Sequence, residues 1–171
     1  MPTRRFEGKA FYCGDYVNTD VMSPGRFEPY GGPEQLARIA LIDYESSVPF
    51  VDEKTGRSEY TVIFAGTEFG CGSSRESAPE ALFHAGARVV IAKSFARIFF
   101  RNCINMGLLL PIQYDHPLDE RVIGKHVTVD LGTRTFSVEG QVFQFPDFGP
   151  VGAIIEAGGL TPYNKQRGSR R

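Results

Sequence analysis

Tyr60-Thr61-Val62-Ile63-Phe64-Ala65 runs almost directly into Phe69-Gly70-Cys71-Gly72-Ser73-Ser74-Arg75-Glu76-Ser77-Ala78-Pro79. The first stretch is β-branched and aromatic, which suits a buried strand. The second holds two glycines, two adjacent hydroxyls and a guanidinium in a loop that opens a helix. Ser77-Ala78-Pro79-Glu80 has the form of a capping box, with Ser77 as N-cap and Glu80 three residues on. Pro79 suits a first turn, where a missing N–H costs nothing. The helix is expected to end near Ala85, with Gly86 as its C-cap. Arg88-Val89-Val90-Ile91-Ala92 reads as a second buried strand. Ser94 is expected to cap a second helix that reaches about Asn105 and closes at Gly107. Leu108-Leu109-Leu110-Pro111-Ile112 reads as a third strand. Strand, helix, strand, helix, strand favours parallel pairing with right-handed crossovers.

On the N-terminal side, Arg5 to Tyr12 reads as a strand, followed by a turn at Cys13-Gly14-Asp15. Residues 17–30 read as one long loop punctuated by Pro24, Gly25 and Pro29. A turn of helix is expected at 33–38 and a hairpin tip at 54–57. On the C-terminal side, 127–131 and 134–138 form a hairpin around Gly132-Thr133, and 141–145 adds a further strand. A closing helix of about 149–156 ends at Gly158-Gly159, and the basic stretch 163–171 reads as a frayed tail. The expected class is α/β, with a mixed sheet and strand–helix–strand units in a single domain of 171 residues.

A formal net charge of −1 provides no global field to attract nucleic acid or an anionic membrane, and no segment is long and apolar enough for a membrane span. Cys13, Cys71 and Cys103 are widely spaced with no Cys-x-x-Cys pair, so they do not supply the usual four thiolates of an iron–sulfur cluster. An odd cysteine count without a leader-like apolar run points to a reducing, cytoplasmic setting. No metal-ligand cluster and no phosphate-binding or dinucleotide fingerprint is present.

The chemistry concentrates in the glycine–serine loop. Arg75 can grip a carboxylate with a two-pronged fork. A serine is a poor base in water, but positive potential from Arg75 and the helix terminus favours its alkoxide. Ser73 and Ser74 are therefore candidates for more than capping, and the loop reads as a site for a small carboxylic acid. Cys71 lacks a motif partner among His84, His116 and His126, which weakens a cysteine-nucleophile reading. Asn18-Thr19-Asp20 is a turn-forming cluster whose Asp20 can also orient a hydroxyl. Arg26 is a second candidate carboxylate ligand, whereas Arg97 and Arg101 have the spacing of a solvated helix face.

Three blocks carry a family resemblance: Phe69 to Pro79; Asn18-Thr19-Asp20-Val21-Met22-Ser23-Pro24-Gly25-Arg26-Phe27; and Lys93 to Asn102 followed by Asn105-Met106-Gly107-Leu108-Leu109-Leu110-Pro111. In their order along the chain they resemble the signatures of small subunits of isopropylmalate isomerases, in the aconitase superfamily. The resemblance implies a swivelling β/β/α domain like the last domain of aconitase. It implies reversible loss and readdition of water on an alkyl malate in leucine biosynthesis. It further implies a separate large subunit that holds a [4Fe–4S] cluster. By the same carry-over Ser73 is the base, Ser74 and Arg75 bind the substrate carboxylate, and Asp20 sits in the site.

Two features depart from or refine that pattern. Ser77 stands where the family usually has His. The substrate-selecting segment, which begins at Arg26, carries Phe27 and Tyr30, whose rings suit an apolar group such as isopropyl. Glu28 in that segment disfavours a homoaconitate-type substrate. Dimethylmalate or citraconate remains open, as does a non-catalytic binding module, against which the Ser73-Ser74-Arg75 trio argues.

Overall fold

The computed structural model describes residues 4–27 and 31–169. Seven strands are present: β1 (Arg5–Tyr12), β2 (Tyr60–Ala65), β3 (Val89–Ala92), β4 (Leu110–Gln113), β5 (His126–Asp130), β6 (Thr135–Val138) and β7 (Gln141–Gln144). They form one sheet in the order β4-β3-β2-β1-β5-β6-β7. β1, β2, β3 and β4 pair in parallel, as the alternation of strands and helices requires. β1 also pairs antiparallel with β5, and β5, β6 and β7 continue as a meander. The sheet is therefore mixed, with β1 at the seam.

The crossovers carry α2 (Pro33–Ile39), α3 (Ser77–Ala85) and α4 (Arg97–Met106). α2 and α3 pack on one another. Phe11, Ile63 and Val90 point to this helical side, where Leu82 of α3 and Cys103 of α4 complete a buried cluster. Alternate residues (Ala10, Val62, Phe64 and Ile91) face the other way, into a second cluster with Val127, Val129 and Phe136. The sheet curls around that second core. The rings of Phe64 and Phe136 lie 5.7 Å apart, and Tyr114, just past β4, reaches Phe143 of β7 at 6.4 Å. Sheet half, sheet half and helices give the β/β/α layering that the resemblance implies.

One irregularity explains a break in the alternation. Lys9 pairs with Tyr60 but Ala10 pairs with Val62, so Thr61 is an extra residue on β2. This bulge turns Tyr60 to the same face as Ile63, where its ring meets Phe11 at 5.1 Å.

Four local expectations are corrected. Ser77 is the first helical residue of α3 and not its N-cap. Glu76 occupies the cap with helical angles (φ −69, ψ −26) and makes no side-chain capping bond. Ser94 does not cap α4, which begins after Ala96. Its Oγ accepts the Glu68 N–H at 2.8 Å, bracing a residue held at φ +52. Residues 17–30 are not all loop: α1 (Thr19–Met22) and a single 3-10 turn (Gly25–Phe27) lie within them. The tail is not frayed from residue 163. After the closing helix α5 (Gly152–Ala157), Gly158 and Gly159 reverse the chain into α6 (Leu160–Gly168), which contacts α4 and α5. Lys165 and Arg167 sit in the last turn of α6, where the helix dipole favours cations. Among the described residues, no helix is long and apolar enough to cross a membrane.

Candidate active site

β1 and β2 are parallel neighbours, so the chain leaves both at the same edge of the sheet. In open α/β sheets that carboxyl edge is where ligands bind. Here the two departing loops are joined by main-chain hydrogen bonds. The Cys13 N–H donates to the Phe64 carbonyl at 2.7 Å, and Tyr16 N–H to Thr67 O at 2.7 Å. Gly70 N–H donates to Val17 O at 2.9 Å, and Thr19 N–H to Cys71 O at 2.8 Å, next to a parallel bridge between Asn18 and Cys71. Segments 50 residues apart in sequence thereby become one surface.

The glycine spacing has a direct geometric reason. Gly70 (φ +85) and Gly72 (φ +103) both occupy conformations that side chains rarely adopt. A Cβ at Gly70 would lie 2.2 Å from the Phe99 ring, and one at Gly72 would lie 2.4 Å from Asn18 Oδ1. Asn18 Oδ1 in turn accepts the Asp20 N–H at 2.8 Å, forming the N-cap of α1.

This framework brings Asp20, Ser73 and Arg75 together. Ser73 and its neighbour Ser74 are exposed. Thr19 is buried at 1 % exposure; its Oγ1 donates to the Ser73 carbonyl at 3.1 Å and lies 3.2 Å from Ser73 Oγ. Arg75 Nε lies 3.5 Å from Asp20 Oδ1, and Arg75 Nη1 donates to the Ser23 carbonyl at 3.4 Å. The result is an exposed hydroxyl with a guanidinium and a carboxylate within the same loop pair. Reading the sequence singles out Asp20; the structure adds Thr19 and Asn18 beside it, whose roles depend on the distant loop that they touch.

Arg26 is placed differently. Its fork grips Asp43 at 2.5 and 2.6 Å, and its guanidinium carbon lies 4.5 Å from the centre of the Phe27 ring. The hydrogen bonds from Arg26 hold the Asp43 carboxyl below its ordinary range. Phe27 is half-buried. Tyr30 and Glu28 lie outside the described residues. Arg97 and Arg101 are exposed, as their spacing predicts.

The cysteines and histidines do not assemble a second centre. Cys13 and Cys103 are buried, and desolvation pushes both thiols up. His116 is buried and His126 Nε2 meets Glu7 Oε1 at 2.9 Å on the surface of β5. Among the described residues no three His, Cys, Asp or Glu side chains converge to hold a metal.

Comparisons with known proteins bear on the family and the fold. The family model of the aconitase C-terminal domain matches residues 41–117, the stretch from before β2 to just past β4. The chain is 40 % identical over 169 residues to the 3-isopropylmalate dehydratase small subunit of Aquifex aeolicus, covering 95 % of this chain and 96 % of the relative. It is 39 % identical over 170 residues to the subunit of the same name from Methanosarcina acetivorans, covering 96 % and 99 %. A crystal structure of 3-isopropylmalate dehydratase from Methanocaldococcus jannaschii matches with a TM-score of 0.80 at 37 % identity, over 96 % of both chains. Identity of this order along nearly the full length of each relative leaves one assignment: the chain belongs to the family of 3-isopropylmalate dehydratase small subunits.

Proposed function

We propose that this chain is the serine-bearing half of a two-subunit hydro-lyase that interconverts 2- and 3-isopropylmalate in the cytoplasm, in leucine biosynthesis. The observation that carries the reading is the convergence of exposed Ser73 with Arg75 and Asp20 across two loops welded by main-chain bonds. Ser73, as alkoxide, takes the proton from the carbon next to a substrate carboxylate. The C–H electron pair becomes the double bond as hydroxide leaves the adjacent carbon, and water then adds back with the opposite regiochemistry. Arg75 and Ser74 hold the carboxylate by charge-assisted hydrogen bonds, and Arg75 adds positive potential for the Ser73 alkoxide. Asp20 orients Arg75 through the 3.5 Å contact. Phe27 borders the substrate's variable group, and Arg26 beside it is held by Asp43. A large subunit carries the iron–sulfur cluster that serves as Lewis acid for the departing hydroxyl; the dispersed cysteines here are consistent with that division.

The test is to co-express the chain with a large subunit, reconstitute the cluster without oxygen, and assay a panel of alkyl malates. Isopropylmalate is expected to be the best substrate, and preference for dimethylmalate or citramalate would reassign the substrate. Ser73→Ala is expected to keep assembly and lose about 10²- to 10⁴-fold in kcat, the range for a general base. Turnover near wild type in that variant would overturn the role of Ser73.

A further inference from the structure

We infer that Thr19 is a positioning residue for Ser73, a buried hydroxyl that donates to the serine oxygen once that oxygen has lost its proton. The inference rests on the reading of Ser73 as base. A threonine hydroxyl has one proton and two lone pairs. In the resting geometry that proton goes to the Ser73 carbonyl at 3.1 Å. The Ser73 hydroxyl lies 3.2 Å from the same Thr19 oxygen, so it is the serine that donates across that contact. The arrangement holds the Ser73 proton toward Thr19 and leaves the serine lone pairs facing outward from the loop.

When Ser73 releases its proton to solvent, its oxygen becomes an acceptor only. A rotation about the Cβ–Oγ1 bond of Thr19 then transfers the Thr19 hydrogen bond from the carbonyl to the alkoxide. No heavy atom needs to move. As the alkoxide takes the substrate proton, the Thr19 proton turns back to the carbonyl. Thr19 is suited to this by its burial and its main-chain anchoring: its N–H is fixed on the Cys71 carbonyl at 2.8 Å, so its side chain is held against the loop that carries Ser73. A hydroxyl shielded from water is a stronger partner for an anion than an exposed one. The charged groups of these two loops are Asp15, Asp20, Arg26, Glu68, Arg75 and Glu76; Asp20 meets Arg75 at 3.5 Å, Asp15 accepts the Thr67 N–H at 2.7 Å and Arg26 grips Asp43.

The experiment compares Thr19→Val, which keeps the shape and removes the hydroxyl, with Thr19→Ser, which keeps the hydroxyl, in the reconstituted two-subunit enzyme. Thr19→Val is expected to lower kcat about 10- to 100-fold, the worth of one hydrogen bond to a charged group, with KM little changed. The ascending limb of its pH–rate profile is expected to move to higher pH by about one to two units, because the base loses a donor that favours its charged form. Thr19→Ser is expected to restore both rate and profile. A wild-type profile in Thr19→Val would overturn the inference, as would a Thr19→Ser enzyme as slow as Thr19→Val. Ser73→Ala, run in parallel, separates the two readings. An active Ser73→Ala enzyme removes the base and this role together. An inactive one beside an unaffected Thr19→Val removes only the role of Thr19.

Discussion

The guanidinium of Arg75 lies where any side chain on Gly25 would have to be: a Cβ built there falls 2.7 Å from Arg75 Nη1 and 2.8 Å from Nη2. Two residues 50 positions apart thus share one volume, and the absence of a side chain on the first allows the placement of the second.

Gly25→Ala is therefore expected to displace Arg75 without unfolding the protein, because the atoms in conflict are the far end of a flexible side chain. Steady-state kinetics of the assembled enzyme are expected to show KM raised about tenfold, matching the loss of one charge-assisted contact. The melting temperature is expected to stay close to wild type. A displaced Tm with unchanged KM would mean that Arg75 supports the fold and not the substrate.

Gly72→Ala has a different expected signature. The positive φ and the 2.4 Å approach to Asn18 Oδ1 both oppose a side chain, and Asn18 caps α1. We expect a loss of about 1–3 kcal/mol in stability by urea unfolding, together with a fall in kcat as Asp20 and Ser73 lose register.

Ser94→Ala removes the acceptor of the Glu68 N–H in a half-buried bend. An amide left without its partner there costs about 1–3 kcal/mol, and hydrogen exchange at Glu68 is expected to accelerate. Ser94→Thr, which keeps the oxygen, is expected to recover most of the loss.

His116 predicts a pH dependence. The Leu118 N–H donates to its Nδ1 at 3.3 Å, so the ring proton is on Nε2 and donates to the Ala65 carbonyl at 2.9 Å. The ring is neutral, and burial holds its pKa below the ordinary value. The unfolded chain therefore takes up a proton first as the pH falls. The contribution of His116 is complete above about pH 6.5 and is lost as pH drops from there toward the lowered folded value. In that window the wild type is expected to lose up to about 1.4 kcal/mol per pH unit relative to His116→Gln, measured by urea unfolding at pH 7.5, 6.5 and 5.5. Parallel curves for the two proteins would show that the histidine does not titrate differently on unfolding.

The parallel half of the sheet is legible in the sequence because β2 and β3 are short, almost wholly apolar runs, flanked by Glu59 and Gly66 and by Arg88 and Lys93, and each is followed by a helix of recognisable length. The hairpins of the other half are equally plain from Gly132-Thr133 and Glu139-Gly140. The misread features share a cause. Ser77 and Ser94 stand where local chemistry suggests caps, but Glu76 takes the cap position of α3 one residue earlier, and the Ser94 hydroxyl has a better partner 26 positions away. The partner that Arg26 takes, Asp43, is likewise set by the fold and not by the string. The motif carrying Ser73 and Arg75 is visible as a string, whereas Thr19 and Gly25 gain their meaning only from contacts across the joined loops.

That the two loops of this surface are fastened to each other through peptide groups has an evolutionary corollary. Peptide groups are indifferent to which residue bears them, so side chains along the rim can be exchanged one at a time while the alignment of the reacting groups persists. A scaffold of this kind can change the side chains that it presents by point substitution, with the loop that carries Ser73 inherited intact.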